Sequence, residues 1–321
     1  MIEFNRQTVI VTGAGRGLGR LYALEFAARG ANVVVNDLGG SARGQGADGG
    51  IAEAVVEEIR AAGGTAVAST DSVASQAGGA HIVAQALDTF GGLDAVVHNA
   101  GIITTQPFEE LTDSQWRDML TVHLDGGFYV CQPAFRAMKQ RGYGRFVLTS
   151  SSAAMFGADH HAHYAAAKTG LFGLKNVIAI EGRHHGILAN NVLPWGLTRM
   201  IRQEVEGNEA VLDTPMMKML EPELVVPLVV YLASRDCSVS HHDYSAAAGR
   251  YARVFTGIGA GWLSEVGSYP TADEVAANFA AISATDDYYI PFATGDETVE
   301  ICRRRGIRLP HLAPPPRDVP A

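Results

Sequence analysis

The sequence of 321 residues contains few cysteines: Cys131, Cys237 and Cys302. They are odd in number and widely spaced, so they provide neither a disulfide framework nor a cysteine-based metal-ligand pattern. A low cysteine content is typical of proteins from a reducing compartment, and we therefore expect a cytoplasmic protein.

Long apolar runs and an excess of basic residues are also missing. No stretch approaches the roughly 20 apolar residues of a membrane-spanning helix. The first residues (MIEFNRQTVIVTGAG) are not typical of a signal peptide, and the last (DVPA) are not a peroxisomal signal. The formal net charge of -9 argues against nucleic acids and anionic membranes as partners. We expect a small-molecule substrate instead.

A strand, a glycine-rich turn, a helix and a second strand occupy the first forty residues. Thr8–Thr12 is the first strand, and Asp37 closes the second. The turn glycines Gly13, Gly17 and Gly19 let the backbone approach a pyrophosphate, which the N-terminus of the following helix attracts. Glycines in this strand–helix context are a strong indication of a dinucleotide site, whereas glycines alone are a weak one.

Two charged residues of this unit favour different dinucleotides. A carboxylate at the position of Asp37 can bind both ribose hydroxyls of NAD, and its charge repels the extra phosphate of NADP. Arg16, inside the glycine turn, favours that phosphate. Because Asp37 lies directly at the 2′ position, the sequence predicts NAD rather than NADP.

Seven strand candidates follow one another along the chain, most of them separated by helices. This alternation predicts an α/β fold: a Rossmann-type, doubly wound parallel sheet with helices on both faces. Asp71 and Ser72 follow the third strand and Asn99 the fourth, so they lie at the carboxyl edge of the sheet, where ligands bind. Residues 38–50 predict a surface loop, and Trp116–Arg141 predicts a helix interrupted at its two glycines.

We place a domain boundary at residue 235. Residues 1–235 form the predicted NAD-binding catalytic domain, and residues 236–321 a C-terminal extension. The extension is expected to contain the last strand at about 250–255, a helix at 271–282 that Thr271 and Glu274 cap, and a proline-rich tail (LPHLAPPPRDVPA). One hypothesis is that this extension wraps a neighbouring subunit of a homodimer or homotetramer.

Tyr164 and Lys168 are the candidate chemical pair. They stand four residues apart in a helix-forming stretch (YAAAK), so they share one helix face. An ammonium beside a phenol favours the phenolate and lowers the pKa of the tyrosine, which suits it to general acid/base catalysis. Ser151 ends an apolar strand (RFVLTS) upstream. Its neighbours Ser150 and Ser152 are interpreted as structural serines.

Together these residues resemble the short-chain dehydrogenase/reductase family over about residues 5–235. The resemblance is carried by TGAGRGLG, Asp71, NAG, Ser151 placed before YAAAK, and the P-x-G at 194–196 followed by Thr198. It implies that Tyr164 is the general acid/base, Lys168 its activator, Ser151 the substrate's hydrogen-bond partner and Asn99 a support of the proton relay. It also implies these cofactor contacts: Gly13, Arg16, Gly17, Leu18, Gly19, Asp37, Leu38, Asp71, Ser72, Asn99, Ala100, Gly101, Tyr164, Lys168, Pro194, Gly196, Leu197 and Thr198.

Within the family, VVVNDLGGSARGQG and the His123-Leu124 pair look like one subgroup. It contains the (3R)-hydroxyacyl-CoA dehydrogenase part of peroxisomal multifunctional enzyme type 2 (17-beta-hydroxysteroid dehydrogenase type 4). This resemblance implies a 3-hydroxyacyl-CoA or a steroid or lipid-like alcohol as substrate. Many family members have Asn in place of His123, where it helps to hold a relay water. His123 is open to two interpretations, a relay group and a structural residue.

Three further groups of residues have competing interpretations. The histidines at 160–163, 184–185 and 241–242 suggest a metal, but no cysteine or carboxylate pattern accompanies them, and solvated loop residues are the better interpretation. Met216, Met217 and Met219 suit either a substrate lid or core packing. Arg303, Arg304 and Arg305 suit CoA phosphates less well than a solvated helix end.

Other functions remain as alternatives. A broad-specificity carbonyl reductase would share the same chemistry. A non-catalytic NAD sensor would not need Ser151, Tyr164 and Lys168 together. An epimerase or dehydratase of the extended branch would need a sugar-nucleotide domain, which the tail does not resemble.

Overall fold

The computed structural model of the protein describes residues 1–198, 201–202 and 209–307. The chain divides into two compact units, Met1–Val254 and a second that begins at Phe255. The sequence-based boundary at residue 235 lies earlier, because two strands after it still pair with the main sheet. The site described below lies wholly in the first unit.

An eight-stranded sheet organises the first unit, in the order β3-β2-β1-β4-β5-β6-β7-β8. Strands β1 to β7 are parallel, and β8 pairs antiparallel with β7. The strands are β1 (Thr8–Thr12), β2 (Asn32–Asn36), β3 (Thr65–Ser69), β4 (Ala95–His98), β5 (Gly144–Thr149), β6 (Ile187–Trp195), β7 (Asp243–Ala247) and β8 (Arg250–Val254). The doubly wound Rossmann-type fold is confirmed.

The strand missing from the sequence-based prediction is β7. Its sequence, DYSAA, has few of the β-branched and aromatic residues that favour strands. It is a strand because its backbone pairs with β6, from Asn191 opposite Asp243 to Trp195 opposite Ala247.

Helices cover both faces of the sheet. On one face α1 (Gly17–Ala28), α2 (Gly50–Ala61) and a helix at Val226–Ala233 pack on β-branched side chains of the inner strands. On the other face lie α3 (Gln76–Phe90), α5 (Gly126–Arg141) and α7 (Ala162–Gly182). Helix α4 (Asp113–Leu120) and the short α6 (Ser152–Phe156) flank α7.

The predicted break at the two glycines of the 116–141 segment is instead a π-helical turn at Thr121–Asp125, between α4 and α5. Helix α5 begins at the glycines themselves. A Cβ on Gly127 would lie 2.9 Å from Cδ2 of Leu171. The glycine therefore serves the close packing of α5 on α7 rather than a chain break. The π-turn places His123 in the interior.

In the second unit, a two-stranded antiparallel sheet joins Ile258–Gly259 and Tyr288–Tyr289. Thr271 caps a helix at Ala272–Ala277 through a capping box with Glu274, as predicted. That helix ends at Ala277, earlier than predicted, and Phe279–Ile282 forms a separate short helix. A last helix spans Thr294–Arg304. The proline-rich segment at 309–321 lies outside the described residues.

Candidate active site

The glycine-rich turn after β1 is shaped by close backbone packing. Gly13 has a φ of +64°, and a Cβ there would lie 2.8 Å from Cα of Ala100. A Cβ on Gly19 would overlap the carbonyl oxygen of Gly13. The side-chain amide of Asn99 donates to the carbonyls of Thr12 and Gly13, at 3.2 and 3.3 Å. The turn thus leaves open the space that a pyrophosphate needs, which fits a dinucleotide.

Asp37 lies just beyond the end of β2 and is held by two backbone amides. Its Oδ2 accepts from the N–H of Gly15 at 2.8 Å, and its Oδ1 from the N–H of Gly39 at 2.7 Å. These bonds fix an anionic group at the cavity wall. Arg16 lies on the same wall and donates to the carbonyl of Gly40 at 3.4 Å. The structure therefore places Asp37, which favours NAD, and Arg16, which favours NADP, on the same cavity wall, as the sequence predicted.

The loop after β3 is secured by a residue that sequence reasoning missed. Asn36 is buried, and its amide donates to the carbonyl of Asp71 at 2.9 Å and to Oγ of Ser69 at 3.2 Å. Asp71 and Ser72 then face the cavity. The sequence signal for this role was the position of Asn36, a polar residue at the end of the apolar strand β2.

Ser151 and Ser150 have different surroundings. Ser151 is the N-cap of α6, and its Oγ accepts from the N–H of Ala153 at 3.1 Å, which leaves its hydroxyl hydrogen able to donate. Ser150 is buried, and its hydroxyl donates to the backbone carbonyl of Lys168 at 2.9 Å. The geometry agrees with Ser151 as the substrate-facing serine and Ser150 as a structural one.

Lys168 lies one helical turn after Tyr164 on α7 and is almost fully buried. Its Nζ donates to the carbonyl of Thr149 at 2.6 Å and stands 5.8 Å from the centre of the Tyr164 ring. Burial lowers the pKa of Lys168 from 10.5 to about 7. A lysine that gains or loses its proton near neutral pH can take part in moving a proton.

A buried polar chain beneath the site was not predicted. Oγ1 of Thr12 accepts from the N–H groups of Asn99 and Ala100, both at 3.0 Å, so its hydrogen points to Nδ1 of His98 at 3.3 Å. Nε2 of His98 then donates to the carbonyl of His123 at 3.4 Å. Burial and the charge of Lys168 lower the pKa of His98 to about 4, so it stays neutral.

His123 itself lies in the π-turn, with its ring against Gly101 and Tyr164. Its Nε2 is 2.8 Å from the carbonyl oxygen of Ile102, and its ring is perpendicular to that of Tyr164, with centroids 5.4 Å apart. Burial, together with the charge of Lys168, holds the pKa of His123 well below its usual range.

Of the side chains described above, those of Asp37, Asp71, Ser151, His123, Tyr164 and Lys168 line one cavity of about 810 Å³, whereas Thr12 and His98 lie outside its lining. Of the predicted cofactor residues, Gly19 and Leu197 do not reach it: Gly19 packs under Gly13, and the N–H of Leu197 donates to the carbonyl of Leu220 at 2.6 Å. The other predicted residues line it: Gly13, Arg16, Gly17, Leu18, Asp37, Leu38, Asp71, Ser72, Asn99, Ala100, Gly101, Tyr164, Lys168, Pro194, Gly196 and Thr198.

The cavity also has apolar lining residues: Ile102, Phe156, Trp195, Ile201 and Met217. Met217 lines the cavity, as the lid interpretation requires, while Met216 and Met219 are exposed, so core packing is wrong for these two. His161 also lines it. His163 instead binds the Thr104 hydroxyl through Nε2 at 2.8 Å.

Two searches of the described ranges, 1–198, 201–202 and 209–307, gave negative results. No three or more His, Cys, Asp or Glu residues there come together as a metal site. No helix in those ranges is long and apolar enough to cross a membrane.

A family model, similar sequences and similar structures all relate this chain to short-chain dehydrogenases. The sequence matches the short chain dehydrogenase family over residues 7–209. It is 39% identical to peroxisomal multifunctional enzyme A of Dictyostelium discoideum, over 92% of this chain and 64% of that protein. It is 41% identical to a putative short-chain type dehydrogenase/reductase of Mycobacterium tuberculosis, over 86% of this chain and 94% of that protein. The structure of peroxisomal multifunctional enzyme type 2 from Drosophila melanogaster matches with a TM-score of 0.76 and 31% identity, covering 94% of this chain and 50% of that one.

The chain thus belongs to the short-chain dehydrogenase/reductase family, an oxidoreductase that acts on CH–OH groups with a nicotinamide cofactor. Within the family it falls in the subgroup similar to peroxisomal multifunctional enzyme type 2. It spans only part of those multifunctional relatives.

Proposed function

We propose that the protein is an NAD-dependent dehydrogenase of secondary alcohols in which Tyr164 is the general acid/base. The observation that carries this proposal is the buried Lys168, whose pKa of about 7 and 5.8 Å separation from the Tyr164 ring place a titratable cation beside a phenol at the cavity wall.

Each residue has a distinct task in this reaction. The Ser151 hydroxyl donates to the substrate oxygen and orients it toward Tyr164. The Tyr164 phenolate removes the hydroxyl proton, or the phenol returns it to a ketone. The ammonium of Lys168 stabilises the phenolate electrostatically. The nicotinamide cofactor, held by the glycine turn and Asp37, supplies the hydride chemistry.

The preference for NAD rests on Asp37. Its carboxylate cannot turn away from a bound ribose without breaking its bonds to Gly15 and Gly39. A 2′-phosphate beside it would bring two anions together. Arg16 favours the phosphate, but it is exposed and already binds a carbonyl.

For the substrate we propose a 3-hydroxyacyl-CoA or a steroid or lipid-like alcohol. The apolar wall of Phe156, Trp195 and Met217 suits such a molecule, because apolar area contributes to binding in proportion to its burial. Sequence similarity to the peroxisomal multifunctional enzymes favours the 3-hydroxyacyl-CoA. The alternative is a broad-specificity carbonyl reductase.

A substrate panel tests the proposal. Purified protein is assayed for NADH and NADPH consumption with 3-oxoacyl-CoAs, 3- and 17-ketosteroids and simple aryl ketones. Turnover of the thioesters or steroids with NADH is the expected result. Turnover of the simple ketones alone would favour the carbonyl reductase. Absence of turnover with every compound, while NADH still binds, would favour the non-catalytic sensor.

We also propose a cytoplasmic homodimer or homotetramer. The second unit exposes large apolar side chains, among them Phe279 and Tyr269, as an interface between copies of the chain would require. Light scattering of the purified protein checks the assembly, and a monomer over a wide concentration range would contradict it.

A further inference from the structure

A glycine-rich loop at residues 38–48 closes on itself at its base. The N–H of Asp48 donates to the carbonyl of Leu38 at 3.0 Å, and a Cβ on Gly39 would overlap the carbonyl oxygen of Asp48. The two ends of the loop therefore lie side by side, just beyond β2 and next to Asp37. A compact loop whose ends meet is an Ω-loop, an element that often has a function of its own. We call residues 38–48 the strap.

Hydrogen bonds within the strap give it a fixed shape. The N–H of Ser41 donates to the carbonyl of Gln45 at 2.8 Å, and the N–H of Gly44 donates to the carbonyl of Ser41 at 3.0 Å. Oγ of Ser41 accepts from the N–H groups of Arg43 and Gln45, at 3.3 and 3.1 Å. Because these bonds are internal, they persist when the strap moves as one body.

The middle of the strap is bonded to the segment that follows β4. The N–H of Ile103 donates to the carbonyl of Ala42 at 2.9 Å. Ala42 is 4% exposed, and it is the only residue of 38–48 that is buried. A Cβ on Gly44 would lie 3.1 Å from Cγ2 of Ile102, so the strap lies directly against that side chain. The strap thus reaches from the end of β2 to the loop after β4.

The order of the strands places the glycine turn between these two attachments. In the sheet β1 lies between β2 and β4, and the three strands are parallel. The carboxyl end of β1, where the glycine turn begins, therefore lies between the base of the strap and its contact with Ile103. Arg16 in that turn donates to the carbonyl of Gly40 at 3.4 Å, which ties the turn to the strap.

The strap and the glycine turn line the same cavity. In the reaction proposed above, the glycine turn holds the pyrophosphate of the cofactor and Asp37 holds a ribose. The strap begins directly after Asp37 and is attached again on the far side of the turn. The cavity lining includes four residues of the strap and the two isoleucines after β4: Leu38, Gly40, Ser41, Gly44, Ile102 and Ile103.

We propose that the strap closes over the bound nicotinamide dinucleotide and must move away from Ile103 before the dinucleotide can enter or leave. The strap is then a gate that sets the rate of cofactor exchange. This inference goes beyond the proposed reaction. It needs a nicotinamide dinucleotide in the cavity, and it does not depend on the roles of Tyr164 and Lys168.

The attachment of the strap suits a gate. Its middle is held by the bond from Ile103 to Ala42, the bond from Arg16 and the contact of Gly44 with Ile102. A segment with few buried contacts opens at a small fraction of the cost of global unfolding. The strap can therefore leave the far wall while the sheet beneath it stays folded.

Two alanine variants of the strap differ in one contact. Gly44 and Gly46 have nearly equal φ angles, +81° and +79°, so an alanine causes similar backbone strain at either position. A Cβ at position 44 meets Ile102, whereas a Cβ at position 46 has nothing within 4 Å. Gly44→Ala therefore pushes the strap away from the far wall, and Gly46→Ala is the matched control.

A third variant removes the gate. Deletion of residues 41–45 joins Gly40 to Gly46, so the base of the strap stays and the part that reaches Ile103 is lost. In all four proteins, stopped-flow fluorescence measures NADH association on mixing and NADH release on displacement by excess ADP-ribose. Thermal melting of each protein shows that it is folded.

We expect the deletion to speed NADH release by about ten-fold or more and to speed association as well, because the barrier to passage is gone. Release should be about three- to ten-fold faster in Gly44→Ala and within about two-fold of the wild type in Gly46→Ala. Unchanged release in the deletion variant would overturn the gate. Faster release with unchanged association would also overturn it, since that pattern describes a contact with the cofactor rather than a barrier. Equal effects of the two alanines would do the same, because backbone strain would then explain both.

Hydrogen–deuterium exchange gives a second measurement on the wild type and Gly44→Ala. The amide of Ile103 is the donor to Ala42, so its exchange reports the opening of the strap. We expect bound NADH to slow this exchange at least about five-fold in the wild type and much less in Gly44→Ala. Equal slowing in the two proteins would overturn the inference. Neither measurement uses turnover, so failure of the proposed reaction and failure of the gate remain distinguishable.

Discussion

Lys168 donates from Nζ to the carbonyl of Thr149 at 2.6 Å, so the last residue of β5 holds the lysine that lies one turn after Tyr164 on α7. This bond joins the two chain segments of the site, the strand that leads to Ser151 and the helix that carries Tyr164. Burial of the ammonium, rather than this bond, lowers the pKa of Lys168 to about 7.

The buried lysine makes stability depend on pH. Since the pKa of Lys168 is about 7 in the folded protein and 10.5 ordinarily, the unfolded chain binds more protons between those values. Stability at this position therefore rises with pH across that window, by up to about 1.4 kcal/mol per unit. We expect urea unfolding at pH 7 to 9 to show the wild type gaining stability relative to Lys168→Met. Parallel curves for the two proteins would contradict this.

Asp37 should set the cofactor preference. Asp37→Ala removes an anion from the ribose site, and we expect the ratio of NADPH to NADH affinity to rise about ten-fold, ~1.4 kcal/mol. Fluorescence titration with each nucleotide measures it. Arg16→Ala is the matched variant, for which we expect the ratio to fall. An unchanged ratio in Asp37→Ala would show that Asp37 does not determine the preference for NADH over NADPH.

Two helical glycines should respond oppositely to alanine. A Cβ on Gly19 would overlap the carbonyl oxygen of Gly13, whereas Gly173 on α7 has nothing within 4 Å of an added Cβ. Gly19→Ala should weaken NADH binding at least ten-fold, about 1.4 kcal/mol. Gly173→Ala should raise the free energy of unfolding by roughly 0.5–1 kcal/mol. Similar behaviour of the two variants would show that the close approach at Gly19 is unimportant.

The two neighbouring serines should separate catalysis from stability. Ser151→Ala removes a donor to the substrate oxygen and should lower kcat about 10²-fold. Ser150→Ala removes a buried bond to the Lys168 carbonyl and should cost about 1–2 kcal/mol of unfolding free energy, with a much smaller loss of kcat. Steady-state kinetics and urea unfolding of both variants measure the two effects. If Ser150→Ala lost more turnover than Ser151→Ala, the assignment of the serines would be reversed.

The parts of the fold that sequence predicted well are those with local patterns. The glycine turn and Asp37 belong to one βαβ unit. Tyr164 and Lys168 are one helical turn apart. Ser151 was chosen among three adjacent serines by its spacing to Tyr164 along the chain. Each of these depends on neighbours along the chain, and periodicity and spacing reveal such neighbours.

The features that the sequence did not predict depend on contacts between residues that are distant along the chain. Thr12 and His98 meet because β1 pairs with β4, and β7 is a strand because β6 lies beside it. The local sequence around His123 (TVHLD) has no pattern that distinguishes a π-turn from an α-helix. The apolar walls, such as Phe156 and Met217, come from separate segments whose meeting follows from the completed sheet.

The central claim is that Tyr164 moves the substrate proton, and Tyr164→Phe tests it most directly. The ring and its packing stay, and only the phenolic oxygen is lost. Turnover is measured with the best substrate of the panel, and NADH affinity by fluorescence on the same preparation. We predict a fall in kcat on the order of 10²–10⁴-fold with NADH affinity within about three-fold. A variant that keeps more than about a tenth of wild-type kcat would contradict the account, because general acid/base catalysis is worth at least ~10²-fold.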